Sequence, residues 1–266
     1  MKYIISVISL IFIILVYPKN FDIKKTSIIE NAFSSSQYDN GLIITSKKNN
    51  EKFYSLYYSK ILQKEKLDNP IKLKIKHRNR FFNISNGVYL TISNEFYFTA
   101  NNQLGKLNLY KCQIKDLELI KPKVVKLFES ENSVGHSTFS KDALKMIVSS
   151  EKSGDIDLIL YTRNDYSSEW KFKRNLSELN SKNIELHPNL VNDSIIYFSR
   201  LDKKEKRMDL YSSILKNDNS WSDPKIYEHL NSSSDDYGVI FINEKSGYFT
   251  SNREGNDRIY YFEDNN

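Results

Sequence analysis

The sequence predicts an all-β fold, a five-bladed β-propeller of four-stranded antiparallel blades. Three observations predict it: an apolar couplet running into small hydroxyl residues recurs five times, each recurrence heads a set of short strand-like runs, and the two chain ends carry complementary pieces of one unit. The recurrences are Ile43-Ile44-Thr45-Ser46, Tyr97-Phe98-Thr99-Ala100, Ile147-Val148-Ser149-Ser150, Tyr197-Phe198-Ser199 and Tyr248-Phe249-Thr250-Ser251. With Thr45, Thr99, Ser149, Ser199 and Thr250 as anchors, the spacings are 54, 50, 50 and 51 residues. A fixed period of that size marks a repeated supersecondary unit.

Within each unit a turn signal precedes the anchor: Asp39-Asn40-Gly41, Ser93-Asn94, Lys141-Asp142, Asn192-Asp193 and Ser246-Gly247. A second apolar run follows the anchor, at Leu56-Tyr57-Tyr58, Leu107–Tyr110, Asp157-Leu158-Ile159, Asp209-Leu210-Tyr211 and Arg258-Ile259-Tyr260. Further on come Leu67, Leu119, Trp170 and Trp221, and in three units a proline three residues later (Pro70, Pro122, Pro224). Runs rich in Tyr, Phe, Ile and Val, bounded by Asn, Asp, Ser and Gly, are strands joined by tight turns. The unit is a meander of four strands, a to d, and radial repetition of such sheets leaves only short edges. Only eight glycines are present, so Asn and Asp must supply many of the turns.

The fifth unit lacks a strand d in the sequence that follows it, whereas Ile28–Ser36 resembles Ile226–Ser234, which leads out of the fourth unit's strand d. Residues near 22–31 are therefore expected to pair with the strand around Arg258–Phe262 and close the ring. Six blades are the alternative, if residues 21–36 contribute more than one strand. Residues 21–266 read as one propeller domain. The alternating Ile71-Lys72-Leu73-Lys74-Ile75-Lys76 reads as an outer strand d whose lysines blunt edge pairing.

Ahead of this domain, Met1-Lys2 and the apolar run Tyr3 to Tyr17 read as a signal peptide, or as an uncleaved membrane anchor through residues 3–17. Fifteen residues of helix span roughly 22 Å, short of a hydrocarbon core of about 30 Å. Export to the periplasm or the extracellular side of the envelope is expected. Cys112 is the only cysteine, which excludes an intrachain disulfide, and its place in strand c points to a small buried residue. The formal charge of +6 is spread over edge lysines, so no nucleic-acid partner is expected. No His/Cys cluster has metal-ligand spacing, and no cofactor is expected.

Two units carry a family likeness. The third reads Phe139-Ser140-Lys141-Asp142-Ala143, then Met146–Ser150, Gly154, Asp157 and Leu158; the last reads Tyr248–Ser251, Arg253, Gly255 and Asp257–Tyr260. Together with the lead-ins Gly135-His136-Ser137 and Leu186-His187-Pro188 and the tail Trp221-Ser222-Asp223-Pro224, this resembles the TolB-like, WD-repeat-like propeller repeat of bacterial envelope proteins. The resemblance covers roughly residues 22–266 and departs from the pattern at the turn glycine, replaced by Ala143 and Ser194.

With strand a innermost, the d–a and b–c connections share one face (the loop face) and the a–b turns lie on the other (the turn face). The loop face is expected to gather Asn86, His136, His187 and Tyr237 at the entrances of strands a, and Lys48, Asn102, Lys152, Arg200 and Arg253 from the b–c loops. Such a ring of donors and cations would suit an anionic or carbonyl-bearing group. No convergent acid pair or nucleophile–base set is legible. The expected function is a monomeric, non-catalytic envelope propeller that binds a protein, peptide or glycan at this channel face. The alternative is a propeller enzyme of the carbohydrate-active or lactonase kind.

Overall fold

Each hydroxyl anchor lies in the second strand of its own sheet and is at most 1% exposed. The computed structural model describes residues 21–28, 31–48, 51–76, 81–101, 105–127, 133–152 and 155–265. The expected signal peptide or anchor at residues 1–20 lies outside them. The described residues form five small antiparallel sheets and no helix. Strands a, b and c are Ala32–Tyr38, Gly41–Ser46 and Ser55–Gln63 in blade 1, and Phe82–Leu90, Glu95–Asn101 and Leu107–Lys115 in blade 2. They are Val134–Phe139, Lys145–Lys152 and Asp155–Thr162 in blade 3, and Ile184–Val191, Ile195–Asp202 and Arg207–Ile214 in blade 4. In blade 5 they are Asp236–Phe241, Ser246–Ser251 and Arg258–Asp264. Each strand a touches the strands a of both neighbours, so the five inner strands close a ring. This is a five-bladed propeller.

The apolar couplets exist because strand b is packed on both faces. Phe98, Val148, Phe198 and Phe249 are fully buried, and so are Tyr97 and Tyr248 on the opposite side of the same strands. A strand covered on both sides needs no polar alternation, and each large side chain so buried contributes about 1.5–3 kcal/mol. The turns use the residues expected: Asp39, Asn94, Asn192 and Asp193 have φ between 50° and 57°. Ala143, standing where the repeat places glycine, is held at φ 54°.

Closure is made by the first described strand. Phe21–Lys25 pairs antiparallel with Arg258–Asp264, with Phe21 opposite Asp264 and Lys25 opposite Tyr260, as strand d of blade 5. Thr26 continues the seam, its N–H and hydroxyl both donating to the Ile259 carbonyl at 3.0 and 2.8 Å. The Phe21 ring meets Phe262 edge-on at 5.6 Å.

The alternating segment differs from the expectation. Ile71–Lys72 does pair with strand c of blade 1, but Lys74–Lys76 runs parallel to Glu118–Val124, the strand d of blade 2. Leu73, at the crossing, is 5% exposed and packs with Leu119 and Ile114, while Ile71 faces solvent. Burial of one leucine between two blades decides the path, so the segment straps them together instead of edging one.

All five strands a carry a β-bulge. At four of them a residue adopts positive φ: Ser34, Asn86, His187 and Gly238. The bulge turns a backbone N–H sideways, and in three cases the preceding blade's anchor hydroxyl accepts it. Asn86 donates to Thr45 Oγ1 at 3.2 Å, Gly238 to Ser199 Oγ at 3.1 Å and Ser34 to Thr250 Oγ1 at 3.2 Å. The periodic hydroxyl is thus an inter-blade fastener. Thr250→Val, which keeps the shape and removes the acceptor, leaves the buried Ser34 N–H unpaired and is expected to cost about 1–3 kcal/mol in urea unfolding.

A neutral central channel as the candidate functional site

The bulges set the level at which side chains enter the ring. Below them the second halves of the five strands a line a cavity of about 250 Å³. Ser34, Asn86, His136 and His187 stand at the bulge level, and the walls continue to Gln37, Leu90, Phe139, Leu190 and Phe241 on the turn face. The cavity therefore belongs to the turn side of the ring. Among the described residues that line it there is no Asp, Glu, Lys or Arg.

The two histidines meet at the centre. Their ring centroids are 3.6 Å apart with planes 40° apart, and the His187 ring lies 5.0 Å from that of Tyr237. Nδ1 of each histidine is buried without a hydrogen-bond partner. Burial lowers the pKa of His136 to about 4 and, with the neighbouring His136, carries His187 well below the usual imidazole value. Both rings are neutral at pH 7, each offering one donor and one acceptor. Asn86 completes the group, its Nδ2 donating to Ser137 Oγ at 3.3 Å. Burial raises the Tyr237 phenol well above its ordinary pKa, helped by the charge of Asp257, to which it is hydrogen-bonded. Burial, with the charge of Asp235, also raises Asp257.

The cations expected beside these groups are engaged elsewhere. Arg200 binds Glu185 Oε1 through Nε at 2.8 Å and the Leu179 carbonyl at 2.8 Å. Arg253 binds Asp236 Oδ1 and the Leu230 carbonyl, both at 2.7 Å. Glu185 and Asp236 are themselves fully buried and accept from Ser181 and Ser232 hydroxyls at 2.7 Å. Each arginine so braces its own blade between strand b and the d–a loop. Lys48 is exposed, 5.3 Å from the Tyr57 ring centroid. Lys152 ends strand b opposite Asp155, its side chain outside the described residues, as is Asn102.

Of the expected residues, the structure thus brings Asn86, His136, His187 and Tyr237 together and sets Arg200 and Arg253 apart in ion pairs. The first three stand in mid-strand, not at the strand entrances, because the bulge comes there. Sequence reading missed the acids Glu185 and Asp236. Their signal is a second repeat, Leu179-Asn180-Ser181 and Leu230-Asn231-Ser232, 51 residues apart and each followed four residues after the serine by the acid. Asn180 and Asn231 do the same work in both copies, clasping the backbone of Leu158 and of Leu210 through paired bonds of 2.8 and 3.0 Å.

By fold the chain is similar to TolB-type propellers. A protein of Agrobacterium tumefaciens assigned as TolB superimposes with a TM-score of 0.53 at 12% identity, over 88% of this chain and 79% of that one. A glycosyl hydrolase of Bacteroides ovatus superimposes at 0.55 with 6% identity, over 91% and 85%. A gluconolactonase of Xanthomonas campestris superimposes at 0.55 with 9% identity, over 84% and 68%. No protein-family model matches the chain, and no curated protein is similar to it in sequence. A protein assigned as TolB and two enzymes share such a scaffold, so the likeness establishes the fold and the site must supply the rest.

The buried imidazoles make a testable pH dependence. The titratable groups facing them are each other and Tyr237; the adjoining inner strands present Ser34, Asn86 and Gly238. Folded His136 takes up its proton at about 4 and an unfolded one at 6.5, so the unfolded state binds more protons between these values. Stability is full above pH 6.5 and falls as the pH drops towards 4, by about 1.4 kcal/mol for each pH unit a group is shifted. Urea midpoints measured across this window should fall in the wild type and fall less in a His136→Gln/His187→Gln variant.

Proposed function

We propose that this chain is a non-catalytic propeller of the cell envelope, periplasmic or secreted, that binds a protein, peptide or glycan partner in its central channel. The observation that carries the reading is the uncharged channel with two buried imidazole nitrogens lacking partners. Such a site hydrogen-bonds an amide or a sugar hydroxyl without a charge on either side. Asn86, His136 and His187 are the contact groups, with Tyr237 backing the rings. An uncharged group matches this lining better than the anion suggested by Arg200 and Arg253, whose charges are already paired. Imidazoles whose pKa values burial has lowered so far are poorly poised for proton transfer at neutral pH. Export rests on Lys2 and the apolar run to Tyr17, and on the resemblance to envelope propeller repeats.

The enzyme reading is the competitor, with Asp257 as its best acid, since its proton affinity is raised beside Asp235. The test is a panel of neutral peptides and neutral oligosaccharides, read by calorimetry, alongside turnover of nitrophenyl glycosides and gluconolactone. The binding reading expects saturable binding that Asn86→Ala/His187→Ala abolishes and Asp257→Asn leaves unchanged. Turnover lost on Asp257→Asn would overturn it.

A further inference from the structure

Corresponding positions differ where successive blades meet on the turn face. Between blades 2 and 3 the groove is filled. Arg163, the residue after strand c of blade 3, lies 4.5 Å from the Trp170 ring centroid and reaches Glu95 Oε2 at 2.6 Å. Trp170 Nε1 donates to the Tyr97 hydroxyl at 3.2 Å. One period later Trp221 stands for Trp170, but Leu215 replaces Arg163, Ile147 replaces Tyr97 and Lys145 replaces Glu95. The filling is gone and a cavity of about 260 Å³ remains, walled by Ile147, Leu160, Leu190, Leu215 and Trp221.

The polar groups at this cavity are unevenly committed. Trp221 is 5% exposed, and with Ile147 in the tyrosine's place its indole N–H has no acceptor among the described residues. Arg174 is held by Glu178 at 2.8 Å and the Asn219 carbonyl at 3.2 Å, and Asp193 Oδ1 accepts the Lys141 N–H at 3.0 Å. Among the described residues Lys145 and Lys173 line the cavity with no ion pair in contact, although the Lys145 charge also acts on Asp142. An apolar floor, an N–H without a tyrosine to accept it and two ammonium groups against the single Asp193 carboxylate are the complement of one chemistry.

We propose that the groove between blades 3 and 4 binds an apolar carboxylate. The hydrocarbon body takes the space that Tyr97 and Arg163 fill one blade earlier, and the carboxylate accepts from Trp221 Nε1 beside Lys145 and Lys173. This site is separate from the central channel, and its test does not depend on what the channel binds.

The acid can be a small free molecule or the C-terminal residue of a peptide, and the probes separate them. Octanoate is compared with octanol, and acetyl-Ala-Ala-Leu with its C-terminal amide, by ligand-observed NMR and tryptophan fluorescence on the full chain. At least one acid should bind saturably and shift the tryptophan emission, and the acid that binds identifies the source. K145E/K173E, at two exposed positions that leave the fold intact, should weaken it at least about tenfold. Ile147→Tyr/Leu215→Arg, which refills the groove, should abolish binding. Octanol or the amide binding as well as the acid overturns the proposal. So does unchanged affinity in the charge-reversed variant, or no saturable binding of either acid below about 10 mM.

Discussion

A chain beginning at Thr26 should melt well below one beginning at Phe21. The five residues between them supply all of strand d in blade 5, every one paired with Arg258–Asp264. Their removal bares the edge of the Arg258–Asp264 strand and uncovers Phe262 and Tyr260, buried at 0% and 3% exposure. It also takes Phe21 and Ile23 from the cluster that joins blade 5 to Leu210 of blade 4. Two partly buried side chains and a strand ladder together are worth at least about 3 kcal/mol, or roughly 6–12 °C in a protein of this size. The measurement is calorimetric melting of both chains. Equal melting temperatures would show that the ring closes without this strand.

Arg163→Leu should be strongly destabilising. The guanidinium is fully buried, with Nε on the Ala143 carbonyl at 2.8 Å, Nη1 and Nη2 on the Glu95 carboxylate at 3.1 and 2.6 Å, and its plane over Trp170. Burial pushes the Glu95 pKa up, but the bonds from Arg163, Lys111 and Ser93 outweigh it and hold the carboxyl below its usual value. Removing Arg163 leaves the Glu95 carboxylate to the partly exposed Lys111 at 2.9 Å, a loss towards the lower end of the about 3–5 kcal/mol that breaking a buried pair costs. Glu95→Gln/Arg163→Leu should recover part of the loss, because no unpaired charge is then left inside. Urea midpoints of the wild type, the two single variants and the double variant decide the matter; a double variant no better than Arg163→Leu would refute the stranded-charge account. Because folded Glu95 holds its proton less tightly than an unfolded glutamate, the pair's stabilisation is present above pH 4.5 and is lost as the pH falls below it.

How legible each feature was depends on whether repetition carried it. Thr45, Thr99, Ser149, Ser199 and Thr250 stand out because five blades need the same small hydroxyl at the same buried place, which favours five blades while residues 21–36 leave six open until the sheets are seen. The closing strand is readable in the sequence, near residues 22–31, because Ile28–Ser36 resembles the segment leading out of blade 4's strand d; the pairing itself covers Phe21–Lys25. Arg163 and Glu95 were invisible, since their partnership occurs once and joins residues 68 apart in sequence. The sequence pattern puts the histidines one half-strand too far towards the loop face, because a bulge shifts side chains without leaving a mark in a pattern of apolar couplets. Arg200 and Arg253 look free in the sequence because the acids that hold them, Glu185 and Asp236, stand at the starts of strands a behind residues that vary in composition, Lys182-Asn183-Ile184 in one and Ser233-Ser234-Asp235 in the other.

The seam between first and last strands also has a kinetic side. Blades 1 to 4 each draw their strands a, b and c from one local stretch, but Thr26 reaches Ile259 across 233 residues of chain. A contact of such long reach forms only after the entropy of bringing distant segments together has been overcome, which slows folding steeply. On a ribosome the four early sheets can assemble as they emerge, yet Phe21–Lys25 must wait unpaired until Arg258–Asp264 has been made. The ring therefore cannot be sealed before its last blade exists, however early the other sheets form.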